Sequence, residues 1–189
     1  MAHDLTKRPS GVGRVDSGRF ASYWLMSPRP NPQRPVSPRL YSRAILEAFA
    51  AGEHAAYLAA GGRPLRPRLA RSLALAGLRP GLRLADVGCG RGEASTHAAK
   101  RGCRVWALDF SRDGLDLTRE AAEGLLSARD QAAMALLQAE ADRLPLPTAS
   151  VDRVLILDVV EHLWPWQLAG LLRETGRVLA PGGYAVIHT

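Results

Sequence analysis

The fold is decided by one stretch of sequence, Leu84-Ala85-Asp86-Val87-Gly88-Cys89-Gly90-Arg91-Gly92. An apolar strand leads here directly into three alternate glycines, and a helix is predicted to follow from about Glu93. Glycine permits positive φ and lets a ligand lie against bare backbone, and we expect the amides at the helix start to face a bound anion. The stretch therefore predicts a ligand site where a strand ends and a helix begins.

Two familiar nucleotide-binding loops do not fit this spacing. A dinucleotide-binding loop, Gly-x-Gly-x-x-Gly, needs a glycine three residues after Gly90, where this chain has Glu93. A P-loop needs Gly-Lys followed by Ser or Thr, a combination that the sequence lacks. The pattern present is Asp-x-Gly-x-Gly-x-Gly, with Asp86 two residues before the first glycine. An acid at the end of an apolar strand is costly unless something pairs with it, so Asp86 favours a binding role.

From Leu82 onward, short strand-like runs alternate with segments of helix length. This alternation predicts an α/β fold with a doubly wound, mostly parallel sheet that ends after a fifth strand. Strands are predicted at 82–87, 104–109, 134–139, 152–158 and 184–188. Helices are predicted at 93–101, 113–124 and 167–179, with a turn at 180–183. Upstream, helices are predicted from about Arg39 to Gly61 and at 68–76.

Composition divides the chain into three parts: a Pro/Arg-rich extended arm (1–39), N-terminal helices (40–80) and an α/β core (81–189). Residues 1–80 hold 13 Lys and Arg against 4 Asp and Glu, a net charge of +9, whereas residues 81–189 hold 12 against 14, a net of −2. A basic N-terminal part is compatible with nucleic acid, but 23 of the 25 basic residues are Arg at scattered positions, which favours ordinary compositional bias.

The expected location is the cytoplasm. No apolar run approaches the ~20 residues that span a bilayer, and the first residues lack the apolar segment of a secretory signal. Cys89 and Cys103 form no Cys-x-x-Cys pair, so a zinc knuckle or a dithiol redox centre is not indicated.

Four motifs in order resemble those of class I S-adenosylmethionine-dependent methyltransferases. The first is the glycine stretch, and the second is VWALDFS (105–111), in which Asp109 ends a strand. The third is AEADRLPLPTASVDRVLILDVVEHL (139–163), and the fourth is RVLAPGGYAVI (177–187). The resemblance covers residues 82–189. It implies a Rossmann-like methyltransferase fold and S-adenosyl-L-methionine as cofactor.

The resemblance also implies a set of cofactor-binding residues. The glycines and Asp86 would receive the aminoacyl end, Asp109 the two ribose hydroxyls, and Phe110 one face of the adenine. Glu140, beside the Ala141 amide, would accept from the adenine amino group, although a register shift would move that role to Asp142. The full set is Asp86, Gly88, Cys89, Gly90, Gly92, Asp109, Phe110, Glu140, Ala141, Leu157 and Asp158.

Methyl transfer from a sulfonium is an in-line displacement, so the protein chiefly supplies orientation and no covalent nucleophile is required. We assign no catalytic residue. Asp158, Glu161 and His162 resemble the metal-binding set of some relatives that methylate hydroxyls, but an incomplete shell favours a structural role, and no metal is predicted.

The function implied is methyl transfer to a small-molecule acceptor. A nucleic-acid methyltransferase is the alternative enzyme, supported only by the basic N-terminal part, and a non-catalytic module that binds S-adenosylmethionine is the alternative outside enzymes. No membrane partner is expected. Relatives continue past the fifth strand, so the core is expected to be incomplete at its C-terminal end. An uncovered fifth strand also favours an oligomer formed through that edge.

Overall fold

A computed structural model describes residues 37–49 and 54–189. The predicted arm lies outside these ranges except for its last residues, where a 3₁₀ turn spans Pro38–Leu40. The described part of the predicted first helix consists of α1 (Arg43–Phe49) and α2 (His54–Ala59). The second helix, α3 (Pro67–Leu75), confirms the prediction and carries its proline at the first turn.

The core alternates strands and helices as predicted. Its elements are β1 (Arg83–Val87), α4 (Glu93–Ala99), β2 (Arg104–Asp109), α5 (Arg112–Leu125), α6 (Ala128–Ala132), β3 (Met134–Gln138), β4 (Val151–Leu157), α7 (Pro165–Val178) and β5 (Leu179–His188). The helix α6 was not predicted. The strands form one parallel sheet in the order β3-β2-β1-β4-β5. The α/β fold class is therefore confirmed.

Helices cover both faces of the sheet. Successive side chains of β1 point to opposite faces and enter two different hydrophobic clusters. Leu84 belongs to a cluster with Leu69 of α3 and Ala98 of α4. Ala85 belongs to a second cluster with Leu171 of α7. The two clusters make the fold doubly wound, with helices on each side of a buried parallel sheet.

The last strand begins earlier than predicted. β5 starts at Leu179, opposite Val151, and the next pair joins Arg153 to Tyr184. Between these pairs lie one residue of β4 and four residues of β5, so the predicted turn at 180–183 forms an irregularity within the strand. β5 forms an edge of the described sheet, where Tyr184 and Ile187 are exposed.

The sheet brings the predicted site residues to one edge. Val87 pairs with Leu108 on one side and with Ile156 on the other, so the residues after β1, β2 and β4 emerge next to one another. From β1 the chain builds one half of the sheet through β2 and β3, and it then crosses to β4 and β5 on the other side of β1. The strand order therefore reverses between β1 and β4, and open α/β sheets bind ligands in the crevice at such a point.

Among the described residues, no helix is long and apolar enough to cross a membrane.

Candidate functional site

The glycine loop between β1 and α4 has the backbone that its sequence requires. Gly88, Gly90 and Gly92 adopt φ of 76°, 54° and 80°. A Cβ on Gly88 would lie 2.4 Å from Val159 Cγ2, and one on Gly92 would lie 3.0 Å from the Thr118 side chain. A Cβ on Gly90 would meet nothing within 4 Å. The surrounding protein thus leaves no room for a side chain at Gly88 or Gly92, whereas Gly90 faces open space that a ligand can occupy.

The amides of the glycine loop, which precede the helix start, are used largely within the chain. The Gly88 and Cys89 amides donate to the Leu108 carbonyl at 2.8 and 3.0 Å, and the Gly92 amide donates to the Cys89 carbonyl at 2.9 Å. The Gly90 amide donates to Asp109 Oδ2 at 2.9 Å. Because these donors are used within the chain, the loop offers bare Cα surface rather than a phosphate cradle. That surface suits a ligand without phosphate groups.

Asp86 is buried beside this loop, with 2% of its surface exposed. The Ser95 hydroxyl donates to Asp86 Oδ2 at 2.5 Å and thereby joins α4 to the end of β1. Burial raises the pKa of Asp86 to about 6, and the nearby charge of Asp109 adds to the shift. A cation brought close to this carboxyl would favour its ionised form.

Asp109 connects three parts of the site. Its Oδ2 accepts from the Gly90 amide, and its Oδ1 accepts from the Ser111 amide at 2.8 Å. The Ser111 hydroxyl caps α5 by accepting from the Gly114 amide at 3.3 Å. Burial raises the pKa of Asp109 in spite of these amides. The Phe110 amide is a third donor to this carboxylate, so the backbone amides leave only part of its acceptor capacity for the hydroxyls of a ligand.

Phe110 packs against a residue that sequence reasoning did not assign to the site. The Tyr41 ring lies edge-on to Phe110, with centroids 5.0 Å apart, and edge-on to His162 at 5.7 Å. The Ser111 hydroxyl donates to the Tyr41 carbonyl at 2.7 Å. Burial, with the charges of Asp109 and Glu161, raises the pKa of Tyr41 to about 12. Tyr41 therefore spans the crevice between the ends of β2 and β4.

The structure distinguishes the two candidate adenine acceptors. Asp109 pairs with Gln138, so Glu140 and Ala141 follow two and three residues beyond the edge of the sheet. A Cβ on Gly170 of α7 would lie only 2.5 Å from the Asp142 Cβ, which places the Asp142 side chain against that helix. Glu140 is exposed as a whole residue. Partial desolvation of its carboxyl group, together with the charge of Asp142, raises the pKa of that group. Glu140 is thus the more accessible carboxylate.

Asp158 is held by its neighbours, directly after Leu157 ends β4. Its Oδ2 lies 2.8 Å from the Arg68 guanidinium of α3, and its Oδ1 lies 2.9 Å from His188 Nδ1. Its φ of 56° is unusual for a residue with a side chain and costs about 1–3 kcal/mol, which these partners and the surrounding packing must offset. Within residues 37–49 and 54–189, no three His, Cys, Asp or Glu side chains gather as a metal shell.

A second contact fixes the N-terminal segment to the glycine loop. Glu93, at the start of α4, lies 3.2 Å from the Arg66 guanidinium and 2.7 Å from that of Arg91. The Arg91 guanidinium also lies 4.6 Å from the centre of the Tyr57 ring. Sequence reasoning missed Tyr41, Arg66 and Arg68 because their partners lie far away along the chain and no local spacing signals them.

Comparisons with known proteins identify the family of the chain. Residues 85–187, more than half of the chain, match a family described as "Methyltransferase domain". A malonyl-[acyl-carrier protein] O-methyltransferase from Serratia marcescens is 36% identical over 119 residues, covering 63% of this chain and 42% of that protein. A fatty-acid O-methyltransferase from Mycolicibacterium smegmatis is 33% identical over 106 residues, covering 55% of this chain and 35% of that protein.

Solved structures show the same fold. A putative S-adenosyl-L-methionine-dependent methyltransferase from Methanococcus maripaludis superposes with a TM-score of 0.62 at 20% identity, covering 85% of this chain and 67% of that one. The chain belongs to the methyltransferase domain family and has the Rossmann-like fold of class I S-adenosylmethionine-dependent methyltransferases. It spans less than half the length of the two curated relatives named above.

Proposed function

We propose that the protein transfers the methyl group of S-adenosylmethionine to an oxygen atom of a small-molecule acceptor. The observation that carries the proposal is the crevice at the carboxyl edge, where Gly90 faces open space beside the buried carboxylate of Asp109. Bare backbone next to a carboxylate with remaining lone pairs fits a nucleoside whose other end carries an amino acid. The cofactor of this family supplies a methyl group activated by a positively charged sulfur.

The residues of the chain would bind and orient that cofactor. Asp109 would accept from the ribose hydroxyls, and Gly88, Cys89, Gly90 and Gly92 would lie against the aminoacyl end. Asp86 would attract the ammonium group directly or through water. The remaining members of the predicted set would enclose the adenine and the reacting centre: Phe110, Glu140, Ala141, Leu157 and Asp158.

Residues 40–80 would form a lid over the acceptor side. Tyr41 contacts rings that follow β2 and β4, and Arg68 reaches Asp158 at the end of β4. These contacts join the N-terminal segment to both sides of the crevice. Such a lid would exclude water and would hold both reactants in position. Orientation is the main contribution that a protein makes to an in-line displacement.

The acceptor class rests on the relatives. The two curated relatives described above are named as O-methyltransferases, one for a malonyl group on acyl-carrier protein and one for fatty acids. Both names describe transfer to oxygen. The described residues offer no separate observation in favour of a nucleic-acid acceptor, and six of the 13 Lys and Arg residues of positions 1–80 lie outside them.

The proposal is tested with the full chain in two stages. Calorimetry with S-adenosylmethionine and with S-adenosylhomocysteine should show one saturable site for each. Incubation with methyl-labelled cofactor and either a malonyl thioester or a medium-chain fatty acid should then yield a labelled methyl ester. Binding of the cofactor without transfer to either probe would contradict the proposed acceptor class and favour the non-catalytic module. Label transferred to RNA alone would favour the nucleic-acid enzyme.

A further inference from the structure

A cavity of about 260 Å³ lies between the α2–α3 connection and the outer face of α4. Its lining includes Arg63 from the connection and His97, Lys100 and Arg101 from α4 and its C-terminal end. Glu93, Thr96, His97 and Lys100 follow one another at helical spacing, so they share one face of α4. The proposed cofactor site does not include the cationic end of this cavity.

The cavity has an excess of positive charge. Its lining carboxylate is Glu93, which already contacts the guanidinium groups of Arg66 and Arg91. In the described part of the chain, no carboxylate lies within ion-pair distance of Arg63, Lys100 or Arg101. Since Glu93 is paired elsewhere, three cations without a carboxylate partner among the described residues line one cavity, and such a site favours an anion.

His97 lines the cavity together with the three cations Arg63, Lys100 and Arg101. Burial, followed by the positive charges of Arg101, Arg63 and Lys100, lowers the pKa of His97 to about 4. The neutral ring accepts a contact from the Arg101 guanidinium through Nε2, because arginine can only donate. The neighbour that Arg101 contacts therefore carries no charge that would neutralise it.

The cationic end of the cavity is separate from the cofactor crevice. Lys100 follows Glu93 by seven residues, which corresponds to about 10 Å along α4 and places it at the opposite end of the helix from the glycine loop. The glycine loop uses its own amides internally, whereas this end of the cavity presents side-chain donors that suit phosphate oxygens.

We propose that this cavity binds the phosphate group of a small-molecule phosphate ester. The cations Arg63, Lys100 and Arg101 would hold the phosphate, and the organic part would extend toward Tyr57 and Thr96. A single phosphate group is too small to fill the cavity, which is why an ester rather than free phosphate is the expected ligand. This site is independent of the proposed methyl transfer.

The test is calorimetric titration of the full chain with glycerol 3-phosphate and with inorganic phosphate at constant ionic strength. We expect saturable binding, tighter for the ester. Arg63→Ala and Lys100→Ala should each weaken binding of the ester by about tenfold, because each removes a charged hydrogen-bond donor. Arg129→Ala, which removes an exposed cation on α6, is the matched control and should bind like the original protein.

Two further measurements keep the result interpretable. Arg63→Lys and Lys100→Arg preserve the charge and should retain most of the binding, which separates loss of charge from loss of fold. Affinity for S-adenosylmethionine should be unchanged in Lys100→Ala.

Absence of saturable binding, or equal weakening by Arg129→Ala, would overturn the phosphate site. Equal affinity for the two probes would overturn the assignment to an ester. Binding of RNA with neither small probe bound would replace the proposal with a nucleic-acid surface.

Discussion

Replacing Gly90 by alanine separates a role in binding from a role in folding. Gly90 has a φ of 54°, and a Cβ there would meet no protein atom within 4 Å. The strain of a left-handed alanine should lower the free energy of unfolding by about 1–2 kcal/mol. If the cofactor lies against this backbone, the added methyl group should also weaken its binding by about 1–3 kcal/mol, the usual cost of overfilling a packed site. That range corresponds to about 5- to 150-fold in the dissociation constant.

Gly81→Ala is the matched control for this experiment. Gly81 has a φ of 80°, a Cβ there also meets nothing within 4 Å, and it precedes β1, at the opposite end of the strand from the crevice. It should show a similar loss of stability with unchanged affinity. Calorimetry with S-adenosylhomocysteine and chemical denaturation measure the two quantities. Gly90→Ala with the original affinity would refute the placement of the ligand at the loop.

Three further predictions concern the charged groups around the crevice. Asp109→Ala should weaken binding of S-adenosylmethionine by about 1.5–3 kcal/mol in calorimetry, and denaturation should show lower stability because two amides lose their acceptor. The raised pKa of Asp86, about 6, means that the folded protein holds a proton that the unfolded chain releases near pH 4. Unfolding free energy should therefore fall by about 2–3 kcal/mol from pH 4 to 6, and an unchanged slope in Asp86→Asn would contradict this. Arg68→Ala removes a partly exposed ion pair, so denaturation should show a stability change below about 1 kcal/mol, while a methyl-transfer assay should show slower turnover as Asp158 loses its anchor.

The strands of the core were accessible to sequence reasoning because burial imposes their pattern. β2 was predicted with its observed bounds, Arg104–Asp109, since it is an apolar run that ends at an acid. The start of β5 was predicted wrongly, because whether 180–183 forms a separate turn or an irregularity in a strand depends on pairing with β4, which lies elsewhere in the chain. The five residues of α6 are too few for a helical period to be recognised.

At the site too, features with a local sequence pattern were predictable and features that depend on distant segments were not. The glycines and Asp109 could be recognised from the residues next to them in the sequence, and the structure brings them together at the carboxyl edge of the sheet. The hydrogen bonds of the loop amides could not be predicted, because their acceptors, the Leu108 carbonyl and the Asp109 carboxylate, lie on another strand. Tyr41 carries no local signal, since its ring contacts, Phe110 and His162, lie far from it along the chain.

The most direct measurement of the central claim is a crystal structure of the full chain grown with S-adenosylhomocysteine. We expect the ribose hydroxyls within hydrogen-bond distance of the Asp109 carboxylate and the amino-acid end against Gly90. A well-ordered ligand bound elsewhere, or one whose ribose lies out of reach of Asp109, would contradict the proposed site.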